Sequence, residues 1–185
     1  MVEHEGAVAP VVDAELREEV LERIFVREIK KQSYDLREEL RRLRSLPRVF
    51  KSRDYAWDHK DGHRNRDIIT PATAPLQSLY VHMEALPPGG ANGSHGHQNE
   101  AMFYILDGRG YEIHDGKRYD WEAGDVVIVN NDCVHQHFNS DPHQPARMLV
   151  IKTKPLYMFM HLINQATVER APETPPEGRD FEPED

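Results

Sequence analysis

Five turn signals in close succession constrain this chain more than any other feature. Pro87-Pro88-Gly89-Gly90, Asp107-Gly108, Asp115-Gly116, Ala123-Gly124 and Asn130-Asn131-Asp132 each interrupt a run rich in apolar and β-branched residues. Residues of these types terminate strands and close tight turns. The intervals predict strands over 77–86, 95–106, 109–114, 117–121, 125–129, 134–138 and 146–153. Short strands at this spacing make an antiparallel sandwich or barrel rather than a βαβ sheet. Residues 156–163 are apolar and read as a last strand or a buried closing segment. The polar, aromatic-bearing stretch 54–66 reads as loop, either over the barrel mouth or as a plain connector.

The flanks are of another kind. Residues 1–12 read as a flexible N-terminus. Over 13–47 the spacing of Leu16, Val20, Ile24, then Leu36, Leu40 and Leu43 predicts an amphipathic helical arm. Asp13 caps it, Ser33 restarts it and Pro47 stops it. Such an arm either lies on the barrel or pairs two chains. Residues 48–167 hold the barrel, and 168–185 form an acidic, proline-rich tail expected to be disordered. Of the formal charge of −9, set by 23 basic against 32 acidic residues, much belongs to that tail. The body carries no basic stripe for nucleic acid, and no apolar run is long enough to cross a membrane. With Cys133 as its single cysteine, the chain has no intrachain disulfide, and a reducing cytoplasm is its expected setting.

Chemistry concentrates in two histidine pairs, His95-Gly96-His97 and His135-Gln136-His137. Residues two apart on a strand share a face, so folding the two strands together clusters four imidazoles. Buried, unpaired imidazoles are costly, and a bound cation or polar ligand relieves the cost. A metal site is the expected reading.

These segments also carry a resemblance. Gly89, His95-Gly96-His97 and Gly108 resemble the first sequence motif of the cupins; Gly124-Asp125, Asn130, His135 and Asn139 resemble the second. The resemblance implies an all-β fold, the double-stranded β-helix or jelly-roll barrel, with the helical arm outside it, and a divalent first-row metal. The common cupin pattern has a glutamate where Ala101 stands. Neighbouring Glu100 faces the other way by strand parity and is a poor substitute. A cupin without that glutamate and with His137 two residues after His135 looks like the gentisate 1,2-dioxygenase group. That likeness implies His95, His97 and His135 as metal ligands, with Fe(II) as the expected ion, and His137 beside them as a proton acceptor or a wall residue. Three neutral ligands leave the ion at +2, which favours an anionic chelating substrate.

Gln77, Asn99 and Phe103 are candidate lining residues, and Arg147 a candidate carboxylate clamp. The expected function is a metal-dependent dioxygenase acting on an aromatic hydroxy acid, diphenol or similar chelating compound, with dioxygen as co-substrate. The alternatives are a non-catalytic small-molecule-binding or sensing cupin, and an oxygen-independent metal-dependent isomerase or lyase. A homo-oligomer, most simply a homodimer, is expected, because open sheet edges need cover.

Overall fold

A computed structural model describes residues 41, 43–70, 76 and 78–184. Gln77 and nearly all of the predicted helical arm lie outside the described residues. Among the described residues, eleven strands form two antiparallel sheets. The first sheet holds β1 (Asp58–His59), β2 (Arg64–Ile69), β3 (Tyr80–Leu86), β10 (Ala146–Lys152), β5 (Ala101–Asp107) and β8 (Val126–Val129), side by side in that order. The second runs β11 (Gln165–Glu169), β4 (Ser94–His97), β9 (Val134–Asn139), β6 (Arg109–His114) and β7 (Lys117–Glu122). A short helix, α1 (Lys154–Phe159), follows β10. The architecture is a jelly roll, as the resemblance implied. Among the described residues, no helix is long and apolar enough to cross a membrane.

Alternation builds the interior. Along β5, Ala101, Phe103 and Ile105 are buried, and along β10, Ala146, Met148 and Val150. With Leu86, Trp121 and Val129 these form the apolar core. Each large side chain among them contributes about 1.5–3 kcal/mol by leaving water. Polar residues take the same inward parity elsewhere: His82 and Glu84 on β3, Glu112 on β6, and His135, His137 and Asn139 on β9 are all buried. The barrel is thus greasy between β5 and β10 and polar around β3, β4, β6 and β9.

Several boundaries differ from expectation. The stretch 95–106 is two strands, because residues 98–100 leave the ladder and let the chain cross from one sheet to the other. Part of the stretch read as loop is strand: β2 pairs with β3, with Asn65 and Arg66 buried. Residues 156–163 are neither strand nor buried closure. They continue α1 and a turn, and leave Phe159 and Leu162 more than half exposed. Within and just before the tail expected to be disordered, β11 pairs with β4, the Ala171 amide donates to Asp61 (3.0 Å) and Arg64 donates to the Phe181 carbonyl (2.9 Å). These contacts are polar rather than apolar.

Candidate metal centre

β4 and β9 are neighbours, and their register places His95 directly opposite His135. His97, two residues along β4, shares that face. The three rings therefore converge, with ring centroids 4.2 Å (His95–His135), 4.8 Å (His97–His135) and 5.7 Å (His95–His97) apart. One ring nitrogen from each lies within 4.8 Å of the others, a group able to hold a metal ion.

The tautomers agree with that use. His95 Nδ1 meets the Gly93 carbonyl at 3.0 Å, His97 Nδ1 the Asn99 carbonyl at 2.7 Å, and His135 Nδ1 the Cys133 carbonyl at 3.0 Å. A carbonyl only accepts, so each Nδ1 carries the proton and each Nε2 keeps a lone pair. The Nε2 atoms of His97 and His135 are buried without a hydrogen-bond partner, which is costly unless a cation takes them. Burial pushes His95 and His97 down to about 4, and His135 further still, with their mutual proximity adding to the effect. All three are neutral ligands at pH 7, and the donor set fits a first-row divalent ion.

Glu100 takes no part. It is exposed, its carbonyl accepts from Thr153 and Asn99, and buried Ala101 faces the interior in its place.

His137 stands next to the trio, its centroid 5.3 Å from His135 and 5.9 Å from His95. Its Nδ1 lies 2.5 Å from Glu112 Oε2. Burial alone would depress this imidazole, but the negative charges of Glu112 and Glu84 outweigh it and hold His137 above its usual 6.5. Glu112 also accepts from Trp121 Nε1 at 3.0 Å, with His114 Nε2 3.7 Å away. Sequence reading missed Glu112; its even spacing from His114 on β6 was the available signal. Asn92 was missed as well: its side-chain oxygen accepts the His137 amide at 2.8 Å and fixes β9 there.

The remaining expected residues divide. Phe103 packs edge-on against His137, centroids 4.7 Å apart. Asn99 is fully buried and acts through its carbonyl on His97, with its own Oδ1 unpartnered. Arg147, the expected clamp, does not face the trio. It has the outward parity of β10, donates to Asp107 at 2.8 Å and lies beside the Glu184 carbonyl. Opposite the trio, β3 contributes His82 and Glu84, both buried; burial drives His82 well down, and the neighbouring histidines and Lys152 hold Glu84 at about 2 against the pull of its own burial.

Comparison with known proteins agrees with this geometry. The cupin domain family model matches residues 82–152. A 5-aminosalicylate 1,2-dioxygenase from a Comamonas species is 29% identical over 80 residues, 40% of this chain and 21% of that one. A gentisate 1,2-dioxygenase from a Ralstonia species is 28% identical over 102 residues, 55% of this chain and 28% of that one. The chain thus spans less than a third of the length of these curated relatives. Among solved structures, the salicylate 1,2-dioxygenase of Pseudaminobacter salicylatoxidans superposes with a TM-score of 0.53 at 14% identity, over 58% of this chain and 31% of that one. A predicted oxalate decarboxylase from Thermotoga maritima superposes at 0.52 with 20% identity, over 57% of this chain and 97% of that one. Residues 82–152 thus match the cupin domain family, the two-sheet barrel and the histidine trio agree with that match, and the chain is similar to the gentisate dioxygenase group.

Proposed function

We propose that this protein is a metal-dependent dioxygenase that uses Fe(II) held by His95, His97 and His135 to open an aromatic hydroxy acid, diphenol or similar chelating compound. The observation carrying this reading is the three-imidazole centre with Ala101 in place of a fourth, anionic ligand. Relatives with the same pattern of likeness are dioxygenases of gentisate and 5-aminosalicylate. Bound there, the ion supplies Lewis acidity and open positions for a chelating anion and dioxygen. The chain supplies the rest. Phe103 and the apolar wall behind it keep water from one side of the site, and His137 is the group placed to hold the proton that a phenol gives up on binding. Glu112 keeps the resulting imidazolium compensated, so that proton has a stable resting place beside the site.

The test is oxygen uptake by iron-loaded, anaerobically purified protein offered gentisate, salicylate, catechol and a β-diketone. Uptake with at least one of them is expected. No uptake at full iron occupancy would remove the reading. Self-association belongs to the same proposal: β8 is an edge strand whose Val126 and Ile128 are more than half exposed. Light scattering giving twice the chain mass supports it, and a monomer at assay concentration refutes it.

A further inference from the structure

The interior face of β10 ends in a cation. Ala146, Met148 and Val150 point inward and are buried, and Lys152 follows at the same parity, half-buried. Its cross-strand partners are Ala101 on β5 and Tyr80 on β3. Directly paired residues share a face with Cβ atoms ~5 Å apart. The lysine is therefore the side chain next to the position from which a ligating carboxylate is missing.

The same end of the barrel carries the metal trio. The Thr153 amide donates to the Glu100 carbonyl (3.2 Å), and Lys154 Nζ reaches Gln165 (3.3 Å), the residue paired with His97. Lys152 shares the inward parity of β10 with Val150 and Met148, whose partners on β3 are His82 and Glu84, so its charge belongs to the polar interior that the trio also faces. Among the described residues, no carboxylate is in ion-pairing distance of it. Glu84, the acid with the strongest pull on it, is level with Met148, four residues or roughly 13 Å down the strand. Burial brings the ammonium group down to about 8, so it remains largely charged at pH 7.

We propose that Lys152 is the anion anchor of this site: its ammonium group receives the carboxylate of a ligand chelated at the histidine centre, in the space that Ala101 leaves open. The anchor makes an anionic chelator the preferred ligand over a neutral one of the same shape. It rests on the reading of the trio as a metal centre for chelating compounds, and it adds the specificity element that Arg147 does not supply.

Ligand binding tests this independently of turnover. The full chain is loaded with cobalt(II), whose visible absorption reports ligands entering the coordination sphere. Gentisate, oxalate and catechol are titrated into wild type, Lys152→Met and Lys152→Arg, after confirming equal metal content. Lys152→Met should weaken gentisate and oxalate at least tenfold and leave catechol, a chelator without a carboxylate, within twofold; Lys152→Arg should restore most of the loss. Equal weakening of all three ligands, or none, overturns the anchor. If wild type binds oxalate in a Lys152-dependent way but not gentisate, the anchor stands and the aromatic substrate falls. If gentisate binds and is oxidised without Lys152 dependence, the aromatic reading stands and the anchor falls. If wild type binds neither anion, both fall.

Discussion

Each of the three convergent imidazoles spends Nδ1 on a carbonyl two residues away in its own chain, at Gly93, Asn99 and Cys133. The coordinating nitrogen is therefore selected by local backbone, before any ion arrives. Replacing His135 with alanine should lower bound iron at least tenfold in elemental analysis after dialysis, while circular dichroism stays that of a β protein. Glu112→Gln should act differently. Metal content should hold, but turnover should drop about 10–100-fold, because His137 loses the charge that compensates its proton. Acid sensitivity follows from the depressed histidines. His95 and His97 sit near 4 in the fold against 6.5 when exposed, so the unfolded chain binds more protons below 6.5. Stability of the metal-free protein should fall from pH 6.5 toward 4, by about 1.4 kcal/mol per pH unit for each such histidine. Urea midpoints at pH 6.5 and pH 5 measure it; equal midpoints would contradict the burial assigned to these rings. His137 has the opposite sign. Its contribution is complete below 6.5 and is lost as pH rises through its elevated value.

Strand β6 joins the site to the barrel, lying between β9 and β7 and carrying Glu112 and His114 inward. Gly110 lets it approach: a Cβ there would meet the Phe138 carbonyl oxygen at 1.9 Å and the Trp121 ring at 2.5 Å. Gly110→Ala should cost about 3 kcal/mol or more, read as a lower thermal midpoint. Gly96→Ala, between the two β4 ligands, meets nothing nearer than the Val134 side chain at 3.4 Å and should cost less than about 1 kcal/mol. The two glycines look alike in sequence, and only packing separates them. What was legible follows the same division. Strands β3, β6, β7, β8, β9 and β10 were readable because apolar and β-branched residues, alternating or in short runs, lie between clear turns. β2 was not, since Asn65 and Arg66 are buried polar residues and no hydropathy pattern announces a polar interior. β11 was not, since all five of its residues are exposed and only its backbone partner β4 makes it a strand. The histidine cluster was legible from parity, and its division into three ligands and a neighbour from the resemblance; Glu112 and Lys152 were not legible, because each comes from another strand, nor was Asn92, which fixes the His137 amide from the loop before β4.

The whole molecule depends on its last segment more than composition suggests. Gly178 is buried against Pro87 and Pro88, the Ala171 amide reaches Asp61, and β11 covers the outer edge of β4. Removing residues 165–185 should leave β4 as an open edge and weaken metal binding about tenfold, by loss of the order that holds His95 and His97. Competition against a chromophoric chelator measures this, and unchanged affinity would show that β9 alone supports the site. The direct apposition of His95 and His135 has a broader consequence. Between them the chain leaves the ladder, travels through β5, β6, β7 and β8, and comes back, an excursion of roughly 40 residues. An ion gripping both ends would tether that excursion as a covalent cross-link does, limiting the sprawl of the denatured chain by a few kcal/mol. Chelating it would then loosen strands that never touch the ion, including β5 and β8 of the opposite sheet.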